Sequence, residues 1–325
     1  MRLELRETVL TLRRPLSTAH GVIGRRRSIR VDLCVGDLKG HGEIAPLPGF
    51  GLETYDEALA ALTGAGASWS PPAMIGARGA WLTAEQYLQA AIAGVPMTAH
   101  LSGSSVRERL AVQALVGDLD PEQAANTSAE AARVGHLAVK LKVGAAPADI
   151  DIARIRAVRK AMGPTVLLRL DANGGWDHAT ALHVLSSVSN LDIDLVEEPT
   201  TELDRYPELR KSTGLRLAVD EHASSAQIIR QLLRIEAVQA AVLKPAVLGG
   251  IAETYAIAKA VQDAGGQVVI SSFIDGEAGL RAARDLALAV DPDGVHGIGT
   301  AALFEETLAP DVVADRGYLN LASSG

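Results

Sequence analysis

Six charged side chains recur at nearly even intervals through the second half of the chain. Lys140 and Lys142 lie in AVKLKVG, Asp171 in LLRLDANGGW, Glu197 in LVEEPT, Asp220 in LAVDEH and Lys244 in AVLKPAVLGG. Each closes a short apolar run rich in Val and Leu. Successive run ends are about 23 to 29 residues apart, roughly one strand, one helix and two short loops. Charges that always stand at the exit of a buried strand converge at one end of a parallel barrel. Three carboxylates and three lysines gathered there make a divalent-metal site flanked by bases. Hard oxygen donors without nearby Cys or His favour Mg2+, or Mn2+, over zinc.

Lys140 and Lys142 are two apart on one strand, so both point to the same side. Two neighbouring ammonium groups repel, and the expectation is a lowered pKa and a usable base near neutral pH. A solvent-exposed amphipathic strand is the plainer alternative, but Ala138, Val139, Leu141 and Val143 around them are all apolar. A single Asp or Glu at a strand end is often only a helix N-cap. Asp171, Glu197 and Asp220 close three consecutive strands, which weakens that explanation. Glu198 and Glu221 point the other way by alternation and are expected to support the ligands. Arg169 and Asn173 share a face with Asp171 and are expected to line the cavity. Lys244, before Pro245, should lie across the barrel from Lys142 with substrate between them. Ser271 and Ser272 end the seventh strand, where hydroxyls and backbone N–H groups could hold a carboxylate; a plain turn fits equally well.

These positions need a scaffold. From about residue 110, eight apolar runs alternate with helical stretches: AVQALVGD, HLAVKLKVG, TVLLRLDAN, DIDLVEEP, GLRLAVDEH, AVQAAVLKP, GQVVISSF and GVHGIGT. Continuous apolar runs suit buried parallel strands. An open doubly wound sheet would concentrate its ligands at one switch point, so charges on many strand ends favour a closed barrel. The helix after the eighth run is weak. Residues 1 to about 45 read as β, with STAHGVIGRRR (Ser17–Arg27) as a long polar loop, and ETYDEALAALTGAG and AEQYLQAAIAGV read as helices. SWSPPAMIGARG reads as a loop. The expected division is an α+β capping domain over 1–105, joined by the tail 300–325, and a barrel over 106–299.

With 31 basic and 39 acidic residues the net charge is −8, which argues against nucleic acid as a partner. A small carboxylate substrate is compatible, because local charge decides its binding. A single cysteine, Cys34, excludes an internal disulfide and fits a reducing compartment. No uninterrupted apolar stretch is long enough for a signal peptide or a membrane span, so the default location is the cytoplasm.

Lys140-x-Lys142, Asp171-Ala-Asn173, Glu197-Glu198-Pro199, Asp220-Glu221 and Lys244-Pro245, in this order, resemble the enolase superfamily in its muconate-cycloisomerase-like subgroup. The resemblance covers nearly the whole chain. It implies an α/β fold, a modified TIM barrel of (β/α)7β type with an α+β capping domain. It also implies Mg2+ on Asp171, Glu197 and Asp220, with Lys142 and Lys244 facing opposite sides of the substrate. Within the subgroup, GHGEIAPLPGFGLETYDEAL (Gly40–Leu59) is similar to the capping-loop region of the o-succinylbenzoate synthases, and VISSFIDGEAGL (Val269–Leu280) to their seventh-strand segment. Three departures stand out: Asp275 where Glu is usual, Phe273 for a small residue, and His222 for Ser.

The resemblance implies syn-dehydration of a cyclohexadiene carboxylate, the lyase step of menaquinone synthesis, with Gly49 and Phe50 of the capping loop against the substrate. Dipeptide epimerase, N-acylamino-acid racemase and muconate cycloisomerase are the alternatives. Dipeptide epimerases tend to carry an Asp-x-Asp pair after the eighth strand, and HGIGTAALF lacks it. An acid-sugar dehydratase of the mandelate-racemase type fits less well, since Lys244 ends the sixth strand and no His ends the seventh. A non-catalytic binding barrel would be expected to have lost some of the six charges. The loops Ser17–Arg27 and Pro46–Glu53 are expected to close over the barrel mouth, and one of Arg25, Arg26 and Arg27 to meet a substrate carboxylate.

Overall fold

The alternation of the first 45 residues produces a three-stranded antiparallel sheet of β1 (Arg2–Thr18), β2 (Gly21–Val35) and β3 (Leu38–Ile44). The computed structural model describes residues 1–18, 21–47, 53–103, 107–117 and 119–321. One face of this sheet turns Ile29, Val31, Leu33 and Ile44 onto Leu62 of α1 (Tyr55–Ser68) and Trp81 of α2 (Ile75–Ala93). A capping box between Thr54 and Glu57 starts α1. Gly40 and Gly42 do more than punctuate: a Cβ at either would lie 2.0 Å from a backbone oxygen of α2, at Ala84 and Ala80. Only glycine lets the helix settle this close to the strand.

Two expectations for this region are corrected. Ser17–Arg27 is not a long loop, because Gly21 to Arg27 continue β2, with Arg27 opposite Val9 and Arg25 opposite Thr11. Three consecutive arginines hide a period of two: Arg26 is buried while Arg25 and Arg27 are exposed. The stretch SWSPPAMIGARG is a loop only as far as Met74, since α2 begins at Ile75. Its glycines disfavour helix by propensity, but packing wins: a Cβ at Gly79 would lie 2.9 Å from the Gly250 nitrogen.

A short helix, α3 (Met97–Ser102), precedes β4 (Arg109–Val112). Seven strand–helix units follow: β5 (Ala114–Val116) and α4 (Pro121–Val134), β6 (Ala138–Lys142) and α5 (Ala148–Met162), β7 (Leu167–Asp171) and α6 (His178–Val188), β8 (Ile193–Glu197) and α7 (Tyr206–Thr213), β9 (Leu217–Val219) and α8 (Ala226–Arg234), β10 (Ala240–Leu243) and α9 (Ile251–Asp263), β11 (Gln267–Ile270) and α10 (Glu277–Val290). The eighth barrel strand is β12 (Val295–His296), followed among the described residues only by short 3-10 turns and β13 (Tyr318–Asn320). This is the (β/α)7β order. The sequence pattern marks four of the seven crossover helices. Of the others, α4 buries only Ala124, Ser128 and Ala131, and α7 only Tyr206 and Leu209. α10 does carry a stripe, with Glu277, Arg281, Arg284 and Asp285 at helical spacing and nearly all the rest buried.

Strands β5 to β11 form one parallel sheet in sequence order. The sheet curls shut through β12 and β4: Gly297 N–H bonds Ile270 O at 2.8 Å, Gln113 N–H bonds His296 O at 2.9 Å, and β12 pairs parallel with β4. Outward residues such as Val139, Leu141, Leu168 and Leu170 pack against the helices. Inward residues Leu195, Ala218, Ala240, Val242 and Val269 fill the barrel with small apolar side chains. The charges at the strand exits sit directly above that plug. No helix among the described residues is long and apolar enough to cross a membrane.

Candidate active site

Parallel register lines up Lys142, Asp171 and Glu197 as neighbours across β6, β7 and β8. Glu197 pairs with Ala218, which puts Asp220 just past the end of β9. All three carboxylates are buried, and one oxygen from each lies within 4.8 Å of the others. Lys140 Nζ donates to Glu197 Oε2 at 2.8 Å and lies 2.8 Å from Asp171 Oδ2. Lys142 Nζ donates at 2.7 Å to both Asp171 Oδ2 and Asn173 Oδ1. Lys244 Nζ donates to Asp220 Oδ1 from the other side, with three strands between it and Lys142.

One atom stands apart. Glu197 Oε1 is buried and has no hydrogen-bond partner. An unsatisfied buried carboxylate oxygen costs several kcal/mol. Three hard oxygen donors at this spacing, one of them unpartnered, fit a divalent cation of the Mg2+ type.

The electrostatics reverse one expectation. Burial pulls the Lys140 ammonium down, but Asp171 and Glu197 beside it outweigh burial and hold its pKa well above the usual lysine value. Lys244 is likewise raised, with burial overcome by Asp220 and Glu221. For Lys140 the pull of its two carboxylates outweighs both burial and the neighbouring ammonium group. Burial favours the neutral form of Asp171, but Lys140 and Lys142 overcome it and lower its pKa. Burial raises Glu197, and burial together with Asp220 pushes Glu221 up to about 7.

A supporting layer holds these groups in place. Glu198 accepts the Asp220 N–H at 2.7 Å, the His222 N–H at 2.9 Å and the Tyr206 hydroxyl at 2.9 Å, and its Oε2 lies 2.9 Å from His222 Nδ1. It thereby fixes the turn that presents Asp220. Asn173 Nδ2 donates to Glu221 Oε1 at 2.8 Å. Asn173 and Glu198 both adopt positive φ, 45° and 41°, a strained backbone of the kind that gathers at functional sites. From α5, Asp151 accepts the Gly144 N–H and Arg154 donates to the Lys142 carbonyl, each at 2.8 Å, so the exit of β6 is held. The i, i+3 spacing of Asp151 and Arg154 was a readable signal for that pair; nothing local in the sequence points to Tyr206.

Other expected site residues are placed differently. Arg169 does not line the mouth. Its guanidinium turns towards the strand entrances and donates to Asp194 Oδ2, Gln113 Oε1 and the Val295 carbonyl at 2.8 to 2.9 Å. The backbone N–H groups of Ser271 and Ser272 are spent on Leu243 O and Gly297 O in closing the barrel, so only the hydroxyls remain for a ligand. The Ser271 hydroxyl lies 3.1 Å from Gly297 O and that of Ser272 2.7 Å from Thr300 Oγ1. Gly49 and Phe50 lie outside the described residues. Arg26 meets backbone carbonyls and Arg27 stacks over Tyr55 at 3.7 Å. Asp275 is buried and accepts the Phe273 N–H at 2.7 Å; burial, then Glu43, pushes its carboxyl up to about 6.

A (β/α)7β barrel with a carboxylate triad between lysines on opposite walls is the architecture of one enzyme class. Residues 123–324 match the family model described as "Enolase C-terminal domain-like". The chain belongs to that family, within the enolase superfamily. It is 33% identical over 201 residues to the o-succinylbenzoate synthase of Thermobifida fusca, covering 61% of each chain. It is 31% identical over 178 residues to the N-succinyl-L-Arg/Lys racemase of Bacillus cereus, covering 54% of this chain and 48% of that one. The matched stretches thus span about half to three fifths of those relatives. The structure of the L-Ala-D/L-Glu epimerase of Bacillus subtilis superposes with a TM-score of 0.89 over 99% of this chain and 96% of that one, at 22% identity, a likeness of fold.

Proposed function

We propose that the chain is a Mg2+-dependent lyase that removes the proton α to a carboxylate, and that its reaction is the syn-dehydration yielding o-succinylbenzoate in menaquinone synthesis. The observation that carries this reading is the buried triad with its unpartnered Glu197 Oε1, set between Lys142 and Lys244. Asp171, Glu197 and Asp220 would hold the cation, which supplies positive charge for the substrate carboxylate and for the enediolate created by proton loss. Lys142 is the base. Its side chain is 32% exposed, against 9% for Lys140 and 16% for Lys244, so it is the lysine a substrate reaches most easily. It takes the α-proton, then returns a proton to the hydroxyl leaving from the same face as water. Lys244 faces the intermediate from the opposite wall and offsets its negative charge. Lys140, locked between two carboxylates, holds the triad's geometry.

The relatives with o-succinylbenzoate synthase activity support dehydration, as does the missing Asp-x-Asp pair after β12. A second reading, racemisation of N-succinylamino acids by the same two lysines, draws on the racemase relative. Assay with the cyclohexadiene dehydratase substrate, alongside N-succinylamino acids and dipeptides, separates the two. Turnover of the amino-acid derivatives alone would overturn dehydration.

A further inference from the structure

Beside the mouth, on the β11 side, lies a buried cation that the chemistry above does not use. Arg26, on β2, is 3% exposed. Its guanidinium donates to four main-chain carbonyls: Ala45, Pro46 at 2.8 Å, Phe273 at 3.1 Å and Ile274 at 3.1 Å. Two of these follow β3 in the first lobe, and two follow β11 in the barrel. The same guanidinium carbon stands 5.8 Å from the Phe273 ring centroid. Next to it, Glu43 accepts the N–H groups of Gly276, Ala278 and Gly279 at the start of α10. The clamped barrel segment is adjacent to Lys244, because Ser271 N–H bonds Leu243 O and β10 pairs with β11 throughout.

A guanidinium is a rigid planar fork, whereas an ammonium is a point charge on a flexible stem. One side chain with four acceptors therefore ties the two segments at a set distance, and the Glu43 contacts to the start of α10 reinforce it. We propose that Arg26 is a positioning residue for substrate selection. It sets the separation of segments 45–46 and 273–274, and with it the shape of the mouth on the Lys244 side, where the part of the substrate remote from its carboxylate must fit. This rests on reading the site as one for small carboxylates.

The test uses full-length protein with Mg2+ and the variants Arg26→Met and Arg26→Lys. Steady-state kinetics on the dehydratase substrate and on N-succinylamino acids are combined with amide hydrogen exchange and Mn2+ titration. Arg26→Met should raise KM about tenfold with kcat within about threefold, the pattern of lost substrate binding rather than lost chemistry. Arg26→Lys should recover part of the KM. Mn2+ affinity should not change. Exchange should quicken together at 45–47 and 273–276 and stay slow at β7 and β8. A fall in kcat at unchanged KM, or loosening throughout the barrel, overturns the proposal. If Arg26→Met does not fold, Arg26→Lys against the unaltered chain decides. If the unaltered chain turns over neither substrate, the functional reading has failed; the clamp still stands or falls on whether the two segments loosen together.

Discussion

The barrel holds two charge clusters that both reach through β7 and β8, and they differ in how completely they are satisfied. Near the strand entrances, Arg169 is matched to Asp194, Gln113 and the Val295 carbonyl, with Arg216 also 3.4 Å from Asp194. Two residues further along β7, Asp171 belongs to a set of carboxylates that shares its oxygens among flexible lysines and leaves Glu197 Oε1 unpaired. The lower cluster uses a rigid fork and closes on itself. The upper uses ammonium groups on long stems, of which Lys142 is open to solvent and to a ligand. Between these two clusters burial and charge do not discriminate; incomplete pairing does.

Removing a ligand from the upper cluster should have the largest effect. Asp171→Asn, Glu197→Gln or Asp220→Asn should each lower turnover by at least about 10³-fold, since an enediolate has no other partner of comparable charge. Mn2+ titration of the same variants should show weakened binding, and full activity after exhaustive chelation would falsify the metal assignment. Next come the lysines. Lys142→Ala should cost about 10² to 10⁴-fold as a lost acid–base group, with Lys244→Ala severe but smaller. In deuterated water, exchange of the α-proton from only one enantiomer in each variant would instead mark a racemase.

The lower cluster should answer differently. Arg169→Met leaves Asp194 with Arg216 alone and strips Gln113 and the Val295 carbonyl of their donor, and should destabilise the fold by about 1 to 3 kcal/mol while leaving turnover per folded molecule within a few-fold. Chemical denaturation paired with active-site-normalised kinetics checks this; lost turnover at full stability would move Arg169 into the site. The smallest effect belongs to a partly exposed pair outside both clusters. Hydrogen bonds from Arg281, then Arg284, hold the Asp311 carboxyl at about 2. The folded value lies below that of the unfolded chain, so the stabilisation is complete above about pH 4 and disappears as pH falls towards 2. Asp311→Asn should flatten that acid limb by less than about 1 kcal/mol.

The convergence of the six charges was legible because a parallel strand enforces a period of two and each charge terminates an apolar run. What eluded the sequence were directions that depend on distant partners. Arg169 shares a face with Asp171, but its side chain is long enough to turn either way along the barrel axis, and Asp194 decides. Ser271 and Ser272 stand at a strand end, yet their N–H groups are taken by Leu243 O on β10 and by Gly297 O across the seam. The β-strand through Arg25, Arg26 and Arg27 was masked by uniform charge, although alternate burial was present beneath it. Tyr206 reaches Glu198 only because α7 folds back over β8.

The seam that completes the barrel has a consequence for the order of events during synthesis. β4 is held between β12 and β13, and Thr11 bonds Glu306, 295 residues away in the chain. Strands β5 to β11 can pair one after another as they emerge from the ribosome, since each neighbour in space is the next in sequence. The contacts that join the first strands to the last cannot form until the final segment is free, and such distant pairings are slow. Until then the growing sheet exposes unpaired edges at β5 and β11, which other chains can capture. The growing chain is therefore most exposed to misassembly just before β12 and β13 are released.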